Sequence, residues 1–200
     1  IFAAERYRYE RSLAEISQLI GEEKDADMWL KEAEITLASA ERILWDPSKL
    51  WFGVRHANGT LETQVGLDGL FFLAYGMVSQ ERAISMRANF EKLIAKYGIF
   101  TVAPDEPGYE EDFYWRGPAW PKSCSIGANA VVNYYPDLKE KVLNSIINLA
   151  LRWPNIWECL NGDTGEVARG DIGILATPGI SSNVGAGELI GAFRVLRGKK

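Results

Sequence analysis

The sequence predicts an all-α fold interrupted by one small β-hairpin. Three observations lead there: apolar residues recur mostly at three- and four-residue intervals, one Asn-Gly turn separates two short runs, and strands never alternate with helices. With 200 residues, 47% of them hydrophobic, the chain suffices for one ordinary domain with a sizeable core.

The elements follow in order. Leu13, Ile16, Leu19 and Ile20 predict the buried stripe of a helix over Ala3–Ile20, which Gly21 stops. A second helix starts near Lys24, with Asp25 and Asp27 in its first turn; Trp29, Ala33, Leu37, Ala40 and Leu44 form its face, and Asp46-Pro47 ends it. Trp51 to Val65, around Ala57-Asn58-Gly59, reads as a hairpin with His56 beside the turn and facing solvent. Leu67 to Gly76 is apolar nearly all round and predicts a buried helix. Ser79 caps the next, whose stripe of Ala83, Met86, Phe90, Leu93 and Tyr97 runs to Gly98. Helices resume at about Ser123 to Tyr134 and from Asp137 to Arg152 behind Pro136, and a last one passes through Leu189, Ile190, Phe193 and Leu196. Two long segments rich in glycine and aromatics, Ile99 to Pro121 and Trp153 to Ser182, are loops of the kind that carry function, and they are expected to share one end of the fold.

Composition removes several functions. A net charge of -5 argues against a nucleic-acid partner, and no apolar run approaches the length of a membrane span, so no membrane partner is expected. One histidine and two cysteines without CxxC spacing give no metal site and no disulfide framework; Cys124 and Cys159 read as buried, inert thiols. Glu110-Glu111-Asp112 reads as a solvated acidic face. The unusual feature is aromatic content, with 7 tryptophans, many of them on the loops.

Two constellations can carry chemistry. In Tyr114-Trp115-Arg116-Gly117-Pro118-Ala119-Trp120 a guanidinium lies among aromatic rings on a constrained backbone, which suits a sugar pocket, although the same residues also suit plain packing. In Trp157-Glu158-Cys159-Leu160-Asn161-Gly162-Asp163-Thr164-Gly165-Glu166 a carboxylate beside an indole can polarise a water, with Glu166 as rival and a solvent-facing glutamate beside a turn as the plain reading.

Taken in order, these segments resemble the C-terminal half of the catalytic barrel of glycoside hydrolase family 63 and its relatives, the processing α-glucosidases and the mannosylglycerate or glucosylglycerate hydrolases. Leu44-Trp45-Asp46-Pro47 with Leu50-Trp51-Phe52 looks like the family's tryptophan-aspartate segment, Tyr114 to Trp120 matches YWRGPxW, and Trp157-Glu158 with Asn161 and Thr164-Gly165 is similar to WExYNPxTG. The resemblance implies part, about half, of an (α/α)6 toroid, and hydrolysis of an α-glucoside or related sugar by an inverting mechanism. It implies Glu158 as general base and Tyr114, Trp115, Arg116, Gly117, Trp120, Trp157 and Asn161 as substrate-binding residues, with no cofactor.

Departures from the pattern are specific. After YWRGPxW the family continues with an Asn-Tyr pair; here that polar contact is expected to be either lost or replaced by Ser123 or Asn129. A family Phe-x-Trp segment is replaced by Ile180-Ser181-Ser182-Asn183, preceded by extra residues around Ala176-Thr177-Pro178-Gly179. The family's general acid, an Asp, lies in the half that would precede Ile1, and neither Asp68 nor Asp112 matches its motif. Residues 1–200 therefore read as the C-terminal portion of the barrel. The missing N-terminal half is expected in the same polypeptide or a second chain, and an oligosaccharide or small glycoside as substrate. The competing reading is a non-catalytic carbohydrate-binding or interaction module derived from such a half barrel.

Overall fold

The computed structural model describes residues 1–168 and 183–198, and the chain divides into two compact units, Ile1–Thr63 and Gln64–Lys200.

In the first unit, α1 (Phe2–Leu19) and α2 (Glu23–Leu44) pack against each other, reversing at Gly21, whose φ of 81° favours glycine. Apart from Glu10, which is buried and paired with Arg6 at 2.7 Å, their buried positions are small: Ala4, Ala14 and Ser17 on α1, Ala26, Ala33, Thr36 and Ala40 on α2. Small side chains let the two backbones approach closely. The stripe expected for α1 is thereby corrected. Leu13, Ile16, Leu19 and Ile20 are exposed, Leu19 by 86%, because the alanine face and not the larger apolar face meets α2.

Two short antiparallel pairs follow. β1 (Trp45–Asp46) pairs with β2 (Trp51–Phe52), a hairpin the sequence reading did not separate from the next. Asp46 Oδ1 builds its turn by accepting from the Ser48 amide at 2.9 Å, the Ser48 hydroxyl at 2.6 Å and the Lys49 amide at 3.3 Å. Ser48 is the main reason that the Asp46 carboxyl is held below its ordinary range. β3 (Val54–Arg55) pairs with β4 (Leu61–Glu62) across the expected Asn-Gly turn. His56 is exposed there, 2.8 Å from Glu62.

The second unit is built on α5 (Pro121–Tyr134), which packs against α3 (Leu67–Ala74), α6 (Lys139–Leu151) and α7 (Asn183–Leu196). α3 is buried from Gly69 to Ala74, as its all-round apolar sequence requires. α4 (Gln80–Lys92) is capped by Ser79, whose Oγ accepts from the Arg82 amide, and buries Ala83, Met86 and Phe90. It ends earlier than its stripe suggested. Tyr97 lies beyond it in a turn where the Ala95 amide donates to Gly98 O at 3.0 Å, and Ser145 Oγ on α6 accepts from the Gly98 amide at 2.8 Å. That buried serine competes with another helical turn and fixes the chain's exit from α4. On α7, Leu189, Ala192 and Leu196 are buried whereas Ile190 is exposed, which corrects its expected place in the stripe.

Candidate functional site

The two long loops meet. After α4 the chain forms a ladder of single β-bridges in which Phe100 faces Ala119, Ala119 faces Leu160 and Leu160 faces Val167. Ala119 and Leu160 exchange both backbone hydrogen bonds, at 2.8 and 3.0 Å, so the arginine-aromatic segment and the Glu158 segment lie side by side. Leu160 is two residues from Glu158 and Ala119 three from Arg116.

In the arginine-aromatic segment Trp120 is the anchor. It is 5% exposed and its indole N–H donates to Tyr114 O at 2.8 Å. Trp115 stacks on it, with ring centroids 3.8 Å apart and planes 11° from parallel, and Tyr114 meets Trp120 edge-on at 4.9 Å. Tyr114 has a φ of 35°, a left-handed conformation that a tyrosine adopts only when its surroundings impose it. Gly117 answers a different need. A Cβ there would sit 2.4 Å from Glu110 O and 2.8 Å from the Tyr109 ring, and its amide donates to the buried Thr101 hydroxyl at 3.0 Å. Arg116 is exposed, 2.7 Å from Glu110, with Nε donating to Gly108 O at 3.3 Å and its guanidinium 5.6 Å from the Phe113 ring centre.

Ser123 does not take the substituted contact expected of it. It is fully buried, accepting from the Trp120 amide at 3.0 Å and donating to Ile99 O at 2.5 Å, which ties the start of α5 to the loop before it. Asn129 donates to Ser125 O within α5. The substituted stretch from Ala176 to Ser182 lies outside the described residues, as does the side chain of Asn183.

In the second segment Trp157 and Glu158 are half-buried and Cys159 is buried. Cys159, Trp120 and Ala168 form one small core with Tyr114 packed against it, a side-chain joint between the two motifs. Asn161 organises the turn. Its Oδ1 accepts from the amides of Asp163 and Thr164 at 3.0 Å each, its backbone carbonyl accepts from Gly165, and its Nδ2 donates to Asp112 Oδ1 at 3.1 Å. Glu166, the rival carboxylate, is paired with Arg152, and the Trp153 indole donates to Gly165 O at 2.8 Å. Gly117, Trp120 and Asn161 thus have polar groups engaged within the protein, while Trp115 and Arg116 reach solvent. Sequence reasoning named neither Thr101 nor Asp112 as a site residue; both act through contacts more than ten residues away, which no local motif encodes.

The local field is negative. Burial first, then the charges of Glu158 and Asp112, push the Cys159 thiol up to about 12. Burial also raises the Tyr109 hydroxyl to about 12, aided by Asp163, Glu111 and Asp112. Cys124, fully enclosed, is pushed up to about 12 by burial. Neither thiol is a nucleophile in this state. No group of His, Cys, Asp and Glu among the described residues could hold a metal ion.

Residues 2–173 match the mannosylglycerate hydrolase MGH1-like glycoside hydrolase domain. The chain belongs to this family. The MGH1-like domain also superposes on solved structures. A GH63 mannosylglycerate hydrolase from Thermus thermophilus, crystallised with glucose, gives a TM-score of 0.75 at 22% identity, covering 99% of this chain and 47% of that one. Neutral trehalase from Saccharomyces cerevisiae gives 0.66 at 14% identity, covering 97% of this chain and 36% of that one. The chain therefore has the (α/α)6 glycosidase fold over less than half the length of the proteins it resembles. None of the curated proteins matches it.

Proposed function

We propose that the MGH1-like domain is the C-terminal portion of a glycosidase barrel and supplies the general base of an inverting hydrolysis of an α-glucoside or related sugar. The observation that carries the reading is the Ala119–Leu160 pairing, which sets Glu158 beside the arginine-aromatic segment in a chain of this family. Glu158 deprotonates the attacking water, and an Asp outside this chain protonates the glycosidic oxygen from across the sugar, about 6.5–9.5 Å away. Tyr114, Trp115, Arg116 and Trp157 contact the sugar, by stacking on its C–H face and by donation to its hydroxyls. Gly117, Trp120 and Asn161 shape the wall behind them. The remaining half barrel, in the same polypeptide or a second chain, completes the pocket. Two carboxylates suffice for the chemistry, without an organic cofactor.

The test is Glu158→Gln in the full-length natural polypeptide. Its kcat on α-glucosides falls by about 10²–10⁴ while sugar binding, read by calorimetry, persists. Unchanged turnover in that variant overturns the assignment. Sugar binding by a full-length protein that turns over no glycoside would instead favour a binding module.

A further inference from the structure

We infer that Asp112 is a positioning residue for the proposed base, holding the Glu158 loop in register through Asn161. The inference rests on the glycosidase reading and extends it to a carboxylate outside both sequence motifs. Asp112 lies two residues before Tyr114, in the aromatic loop. Its Oδ1 accepts from Asn161 Nδ2 at 3.1 Å, bridging 49 residues of sequence. Asn161 is 4% exposed and follows Glu158 by three residues. The other end of the same amide holds the Asp163 and Thr164 backbone. One side chain thus fixes the turn after Glu158 and ties it to the loop that presents Tyr114, Trp115 and Arg116.

The backbone pairing of Ala119 with Leu160 and the small core of Cys159, Trp120 and Ala168 set the two loops side by side. The Asp112–Asn161 bond is a further, polar attachment on the other side of Leu160 from Glu158, made by the side chain that builds the turn. The charges of Asp112 and Glu158 both act on the buried Cys159 thiol, which lies in the small core between the two loops. Misplacing a base by about 1 Å costs about 10²-fold in rate, so an anchor three residues away is read in kcat before KM.

The experiment is a charge-exchange cycle in the full-length polypeptide, with aryl α-glucosides as the probe. Asp112→Asn keeps an oxygen for Asn161 Nδ2, and kcat stays within about threefold of wild type. Asn161→Asp keeps the acceptor for Asp163 and Thr164 but opposes two carboxylates, and kcat falls about tenfold or more with KM little changed. The double exchange, Asp112→Asn with Asn161→Asp, restores a donor and an acceptor in reversed order and recovers most of kcat. Wild-type kcat in Asn161→Asp, or no recovery in the double exchange, overturns the inference. So does Asp112→Asn losing as much as Asn161→Asp, because the charge itself would then act. If Asn161→Asp does not fold, Asp112→Ala removes the acceptor instead and shows the same isolated loss of kcat, whereas wild-type kcat there again refutes the role. Thermal unfolding of the same four proteins reads the coupling without turnover, and additive Tm changes would refute the link. Full turnover in Glu158→Gln would overturn the glycosidase reading and leave this coupling to be judged by its own cycle.

Discussion

Trp115 lies flat on Trp120, centroid to centroid at 3.8 Å, so one face of the exposed indole is already covered and the opposite face is the one left for the proposed sugar contact. The two tryptophans therefore divide their work. Trp115→Ala weakens sugar binding about tenfold, the worth of one stacking contact, with a small effect on stability. Trp120→Ala removes a buried ring and the donor to Tyr114 O, and destabilises by about 3–5 kcal/mol. Calorimetric sugar titration and urea unfolding of both variants check the division; equal effects from the two would contradict it.

Gly117 admits no side chain where it stands. A methyl group there would meet the carbonyl of Glu110, whose amide donates back to Arg116 O at 2.7 Å. Gly117→Ala must open this loop, at about 1–3 kcal/mol, and must displace the adjacent Arg116. The expected signature is a lower urea midpoint together with weaker sugar binding. An unchanged midpoint would show that the loop yields freely.

These two segments were legible as motifs, but their joint was not. Most helix positions followed from period and caps: Ser79 and the Asn58-Gly59 turn each act on neighbours within a few residues, whereas α5 starts at Pro121, two residues before its expected start. The α1 stripe misled because period locates a face and does not say what meets it. Ala4 and Ala14 win the contact with α2 by allowing close approach, leaving Leu13 and Ile16 outside. The end of α4 was hidden for a related reason, since its competitor, Ser145, lies 47 residues from Gly98. Ser123 looked like a replacement ligand and is a helix-start bond to Ile99, because hydroxyls next to a helix N-terminus find backbone first.

Alkaline pH should weaken the domain through its buried thiols. Cys124 and Cys159 are raised from 9.0 to about 12, so between those values the folded protein holds protons that the unfolded chain has released. The sign follows from linkage: with more protons bound in the native state, stability falls as pH rises, being fully present below about pH 9 and lost on the way to 12. Tyr109, also raised to about 12, and Tyr135, raised chiefly by burial, add to the loss above pH 10. Urea unfolding between pH 8 and 11 should show this decline, shallower in Cys124→Ala. A slope identical to wild type in that variant would rule out the Cys124 contribution, and rapid modification of either thiol in the native protein would contradict the burial itself.

The exposed side of α1 gives a prediction about association. Phe2, Tyr9, Leu13, Ile16 and Ile20 succeed one another at intervals of 7, 4, 3 and 4 residues, which is one face of a helix turned outward. A contiguous apolar face of this kind is a contact surface in monomeric proteins only when something covers it. In the proposed barrel the remaining helices are that cover. The 200-residue chain by itself should then self-associate, and Leu13→Lys with Ile16→Lys should abolish this without unfolding α1, since lysine is a good helix former. In the full-length polypeptide the same pair should lower Tm, because there the charges would be buried against the other half. Sedimentation of the 200-residue chain as a monomer at every concentration, or an unchanged Tm in the full-length variant, would mean that this face is never covered and that the barrel closes elsewhere.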